Sequence, residues 1–195
     1  MRISNIPGWN RWRAKSFGWA RAQATSDRDT ASRGPALERR VMRDVEVFKY
    51  LSDEQMNRVA SLGQQVQVPE GKVLGEQGEP GYFLFVIIEG KAELSVRSAL
   101  GEVTVRIAGP TESFPLSCLV GSGTVITSAR AMTPMKVLAI PSGQLLELCS
   151  RAPDIGMGMY AAIAEAIANR YKKSLRHLTA GAEMVLKNAD MWANL

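Results

Sequence analysis

Seven short β-prone runs follow one another at residues 65–68, 73–74, 83–88, 92–97, 103–107, 125–129 and 137–140, with Gly and Pro punctuating the gaps. Short strands broken at this rhythm predict an antiparallel barrel or roll. The longest apolar stretch, residues 82–88, is strand-sized, and no apolar run approaches the ~20 residues that a membrane-spanning helix needs. Within residues 92–97, Glu93, Ser95 and Arg97 alternate with Leu94 and Val96, which predicts one wet sheet face.

Helical periods flank these runs. Ser52, followed three residues later by Gln55, is a capping-box pattern, and Met56, Val59, Ala60 and Leu62 supply an inward face behind it. Beyond Pro141, residues 143–150 read as a short amphipathic helix with Leu145, Leu148 and Cys149 inward and Leu146 beside them. Pro153 and Asp154 then punctuate and cap one long helix over residues 155–186. Ile163, Ile167, Tyr171, Leu175, Leu178, Ala182 and Val185 recur along it at spacings of three and four, while Glu165, Arg170, Lys172, Lys173 and Arg176 lie on other faces. Such a seam is expected against another helix, often a second copy of itself; packing wholly on its own roll is the alternative. The expected fold is α+β, a jelly-roll-like β-roll flanked by helices with a long C-terminal helix. Residues 1–43 form an arm and tether, 44–154 the roll, and 155–195 the helix and tail.

Charge separates the arm from the body. Residues 1–43 hold ten basic residues against three acids, a net +7, and the remainder holds fourteen against sixteen, a net −2. A basic surface spread over the body for wrapping nucleic acid is therefore not supported. In the arm, Trp9, Trp12, Phe17 and Trp19 interleave with Arg11, Arg13, Lys15 and Arg21, and on a helix the three tryptophans share a face. Residues 22–37 are small and polar, the composition of a tether. The arm is read as a docking segment for a protein partner; a plain tail, a membrane-surface helix and an organelle transit peptide also fit. A secretory signal does not fit, because no apolar stretch follows the basic start. The expected location is cytoplasmic, with peripheral membrane contact as the arm's alternative.

Two cysteines and one histidine exclude a disulfide framework, an all-Cys zinc site and a four-Cys iron–sulfur cluster. No acid–base pair or nucleophile–base constellation is legible, so an enzyme is not expected, nor a cofactor or metal. Cys118 and Cys149 read as core residues and His177 as a surface or seam residue.

Residues 69–90 carry Pro69, Gly71, Gly78, Gly81 and Gly90 around an aromatic-apolar strand. This stretch closely resembles the front half of the cyclic nucleotide-binding domain, and the resemblance extends over about residues 45–178. The four glycines fall where a roll turns sharply, at φ values that other residues resist. The resemblance to catabolite activator-type regulators places a dimerisation helix around residues 168–171. In those regulators a winged helix-turn-helix follows; only nine residues lie beyond Leu186 here, so a recognition helix and DNA binding are not expected.

The resemblance also implies a phosphate-binding cassette, and here the sequence departs from the pattern. Binding-competent members read Phe-Gly-Glu, then small and apolar residues, then an Arg. The Glu holds the ribose hydroxyl and the Arg the cyclic phosphate. This chain has Phe114, then Pro115 at the Gly position, Leu116 at the Glu position and Val125 at the Arg position, with Arg130 five residues beyond. Charge-assisted hydrogen bonds contribute ~1.5–3 kcal/mol each, so two losses weaken binding by roughly a hundredfold or more. Phe114, Leu116, Ser117, Val125, Ile126 and Thr127 are the candidate ligand contacts. Trp9, Arg11, Trp12, Arg13, Phe17, Trp19, Ile163, Ile167, Tyr171 and Leu178 are the candidate partner contacts. The expected function is a non-catalytic regulatory or accessory subunit that has lost ordinary cyclic nucleotide binding. The alternative is a small-molecule sensor.

Overall fold

The computed structural model describes residues 42–99 and 101–193, with side chains through residue 187. Two four-stranded antiparallel sheets fold over each other. Their strands are β1 (Gln64–Val68), β2 (Val73–Gly75), β3 (Phe83–Glu89), β4 (Ala92–Ser98), β5 (Gly101–Ala108), β6 (Ser113–Phe114), β7 (Ser128–Ala131) and β8 (Met135–Pro141). One sheet runs β1-β8-β3-β6 and the other β2-β7-β4-β5. Helices α1 (Asp53–Ala60), α2 (Ser142–Arg151) and α3 (Pro153–Ala193) flank the first sheet, as does a 3-10 turn at Glu46–Phe48.

Strand β3 explains why the longest apolar run carries no alternation. Phe83, Phe85 and Ile87 face the interior of the roll, whereas Leu84, Val86 and Ile88 face the helical layer. A strand buried on both faces reads as a continuous apolar run. Its partner β8 divides the same way, with Met135, Val137 and Ala139 inside the roll and Leu138 and Ile140 under the helices.

The short helices follow their local signals. Ser52 accepts the N–H of Gln55, and the Gln55 side chain accepts the N–H of Ser52, which completes the capping box. Met56 and Val59 are buried, and Ala60 and Leu62 pack at the edge. In α2, Leu145 and Cys149 are buried and Leu148 packs beside them.

Three readings are corrected by the structure. The wet face of β4 breaks at Ser95, which is buried. Just before it, a bulge leaves Val105 of β5 without an opposite residue. The strand expected at 125–129 begins only at Ser128; Val125 and Thr127 wall a cavity instead. Among the four glycines, Gly71, Gly78 and Gly90 have positive φ, whereas Gly81 does not. Gly81 is required by contact: a Cβ there would lie 2.5 Å from the Cβ of Cys118.

Candidate functional site

The cavity in the roll, about 230 Å3, is assembled from three stretches of chain, 74–85, 114–115 and 125–129. Leu74 and Gly75 close one side, the loop through Glu76, Glu79, Pro80 and Gly81 forms the rim, and Tyr82, Phe83 and Phe85 come from the start of β3. Phe114, Pro115, Val125, Thr127 and Ala129 complete the wall. The floor is aromatic: the rings of Phe83 and Phe85 are 6.1 Å apart, and those of Phe85 and Phe114 are 5.7 Å apart. Rings at this separation pack in tilted pairs and form a stiff apolar surface.

Main-chain bonds hold the rim to the cassette. Gly78 N–H donates to Val125 O at 2.8 Å, Val125 N–H to Glu79 O at 2.8 Å, and Gly81 N–H to Gly123 O at 2.8 Å. Ser142 Oγ donates to Gly81 O at 2.7 Å, and Gln77 N–H donates to Ser128 Oγ at 3.1 Å. The close approach that brings the loop onto the cassette is the one that excludes a side chain at position 81.

Of the candidate ligand contacts, Phe114, Val125 and Thr127 line the cavity; Leu116, Ser117 and Ile126 do not. Leu116 begins a 3-10 turn (Leu116–Cys118) and points into the helical-side core with Cys118 and Leu119. Ile126 is 67% exposed on the outer side of its segment. The Ser117 hydroxyl is buried with no hydrogen-bond partner among the described residues. The sequence reading missed Glu76, Glu79 and Tyr82 as lining residues. Their signal was the glycine pair around them, which closes the loop onto the cavity mouth.

Glu76 and Glu79 belong to the lining and are both exposed, and the lining contains no arginine or lysine among the described residues. Arg130 hydrogen-bonds Gly71 O at 3.2 Å and does not reach the cavity wall. No cluster of metal-ligating side chains occurs among the described residues. Both cysteines are buried and free, with burial pushing the Cys118 thiol up to about 12, and His177 is exposed.

The second candidate surface is α3. Its first third packs on the molecule: Ile155, Met159, Ala162, Ile163 and Ala166 are buried. At the point of departure, Arg170 pairs with Glu46 and donates to Ser113 O at 3.1 Å, and Glu165 pairs with Lys49 and accepts from Tyr50 Oη at 2.6 Å. Every residue from Tyr171 to Lys187 is exposed, including Tyr171 at 64% and Leu178 at 69%. The alternative in which the helix packs wholly on its own roll does not hold: of the seam's candidate contacts only Ile163 is covered. The arm contacts Trp9, Arg11, Trp12, Arg13, Phe17 and Trp19 lie outside the described residues.

The family model for the cyclic nucleotide-binding domain matches residues 65–152. The roll belongs to that family. This cyclic nucleotide-binding domain is 30% identical over 125 residues to the cyclic AMP receptor protein of Thermus thermophilus, an alignment covering 63% of this chain and 57% of that protein. The chain spans about half the length of the curated relatives it matches. Among solved structures, the N-terminal domain of a transcriptional regulator from Streptomyces coelicolor is 28% identical, with a TM-score of 0.58 covering 66% of this chain and 93% of that one. A cyclic nucleotide-binding domain from Methylobacillus flagellatus shares the fold at 17% identity, with a TM-score of 0.65 over 72% of this chain and 84% of that one. These relatives make the domain a regulatory or sensor module. No described helix is long and apolar enough to cross a membrane.

Proposed function

We propose that this chain is a non-catalytic regulatory or accessory subunit whose cyclic nucleotide-binding domain has lost ordinary cyclic nucleotide binding and serves as a scaffold. The observation that carries the reading is the lining of the cavity. Val125 stands where the family's arginine would grip the cyclic phosphate, Leu116 is turned into the core, and no arginine or lysine lines the cavity among the described residues. An anion entering a largely apolar space with no cation among its described lining is disfavoured by desolvation. Calorimetry and thermal melts of the full chain with millimolar cyclic AMP, cyclic GMP and a cyclic dinucleotide test this. No heat and no upward melt are expected, since a ligand at a hundred times its Kd would stabilise the fold by about 2.7 kcal/mol. A clear upward melt with any of them would remove the proposal.

The contacts of the subunit fall on the outer part of α3. A helix carrying Ile167, Tyr171, Leu175 and Leu178 in the open gains little from its own propensity and is stabilised mainly by packing its apolar face. A protein partner or a second copy of the chain covers that seam, and the Trp/Arg arm is the second contact segment. Sedimentation of the full chain and of Leu178→Glu, alone and with any co-purifying protein, separates the two occupants. Identical behaviour of both chains in all mixtures would remove the seam from the proposal. The alternative, a sensor of a cyclic nucleotide or another small molecule, is favoured by one observation, the persistence of a walled cavity in the roll.

A further inference from the structure

We propose that the charged cleft at the root of α3, with the row of cations that continues from it along the helix, is the docking site for an acidic segment of a protein partner. The proposal deepens the docking part of the proposed function and does not depend on the loss of nucleotide binding.

The cleft, about 200 Å3, lies where α3 leaves the roll, between the 3-10 turn at Glu46–Phe48, β5, the loop before β6 and the helix itself. Four cations and three carboxylates line it, and each carboxylate is already engaged. Glu46 pairs with Arg170, Glu112 with Arg106 at 2.5 Å, and Glu165 with Lys49. Glu112 also accepts the Gly109 N–H at 2.7 Å, and Glu165 accepts the Tyr50 hydroxyl at 2.6 Å. Lys173, the fourth cation, has no ion pair or hydrogen bond among the described residues. The lining therefore has one positive charge to spare. Arg170 is held below the usual guanidinium range, through burial first and the charge of Arg106 second, so the two arginines act on each other. A carboxylate entering this space meets a surplus ammonium beside two guanidinium groups, a setting in which charge-assisted hydrogen bonds are strong.

The distribution of charge selects the same kind of partner. Residues 170–187 hold five basic residues and one acid, a net +4, whereas residues 44–169 hold nine against fourteen, a net −5. The exposed part of α3 is a basic helix on an acidic body, and a complementary partner is acidic. Lys173 and Arg176 continue the helical row of Ala166 and Asn169, which line the cleft, at spacings of three and four. Tyr171, Leu175, Leu178 and Val185 follow another row, and at about 100° per residue the two rows lie on opposite sides of the helix. A second copy paired along the apolar seam leaves the basic row uncovered. A lipid surface takes up a helix whose cations flank its apolar face; here the cations lie opposite that face and run into a concave cleft, which admits a single peptide chain.

The test uses the full chain, a dye-labelled peptide of ten glutamates and the matching peptide of ten glutamines. Fluorescence anisotropy is expected to show binding of the first and not of the second, weakening with added salt. Lys173→Glu with Arg176→Glu, both at exposed positions, is expected to weaken that binding about tenfold or more. Arg58→Glu with Arg97→Glu makes the same change of net charge at exposed positions elsewhere and is expected to leave affinity within about twofold. Carbodiimide coupling, in which the reagent takes up the water released, is expected to join a peptide carboxylate to the Lys173 amine, and mass spectrometry locates the bond. Equal losses for the two pairs of substitutions, or coupling only at other lysines such as Lys15, would overturn the proposal. So would loss of binding to acidic-lipid vesicles, a nucleic acid duplex or inorganic phosphate in the Lys173 and Arg176 variant while peptide binding stays unchanged. A change in that variant's own sedimentation would give the cleft to a second copy and overturn it equally. A nucleotide-dependent melt would refute the lost-binding reading and leave the peptide results to decide the cleft.

Discussion

Ile163 and Leu178 lie on one seam of one helix, yet the structure assigns them opposite energetic roles. Ile163 is 1% exposed within the helical-side core, whereas Leu178 is 69% exposed. Truncation to alanine removes three carbons in each case. At position 163 the transfer term of about 0.8 kcal/mol per carbon, plus the cavity left behind, gives roughly 3–4 kcal/mol. At ~2–4 °C per kcal/mol for a domain of this size, the melting temperature should fall by about 10 °C. At position 178 the lost carbons are already hydrated and alanine is a slightly better helix former, so the isolated chain should change by less than about 0.5 kcal/mol. Urea denaturation followed by far-ultraviolet circular dichroism, repeated over a hundredfold range of protein concentration, measures both. If a second copy covers the seam, the cost of Leu178→Ala grows with concentration while that of Ile163→Ala persists at the lowest concentration. Equal losses for the two variants at every dilution would refute the assignment of the roll's contact to the first third of α3.

Three further predictions follow from the cassette and its surroundings. Gly81→Ala places a Cβ 2.5 Å from that of Cys118 and should cost about 2 kcal/mol or more, whereas Gly71→Ala meets nothing within 4 Å and should cost about 1 kcal/mol from its positive φ alone; urea midpoints rank them. Leu116→Glu should destabilise the fold by at least about 3 kcal/mol, because the side chain enters an apolar core, and should confer no nucleotide-dependent melt; stability retained with gained binding would show that position 116 faces the cavity. Burial raises the Cys118 thiol from an ordinary 9 to about 12, so the unfolded chain loses this proton first as pH rises. Its stabilising effect is complete below pH 9 and declines toward pH 12 by at most about 1.4 kcal/mol per pH unit; Cys118→Ala should flatten that decline in melts between pH 8 and 11.

The sequence carried what depends on local periodicity and on single residues. The Ser52 and Gln55 box, the inward residues of α1 and α2, the two-sided run of β3 and the change to a long helix after Pro141 are set by spacing and by backbone preference. Those signals survive any tertiary context. That positions 116 and 125 carry no charge was equally legible, since they are leucine and valine. Tertiary structure decided what depends on neighbours distant in the chain. Strand β6 is two residues long and exists only because β3 pairs with it. Ser95 alternates as a wet residue but is buried, beside the bulge between β4 and β5. The rim of the cavity forms only because Gly81 lets residues 76–81 close over the cassette. Likewise, the apolar seam of α3 is uniform in sequence, and where burial stops along it is set by the size of the roll beneath, which ends under Ala166.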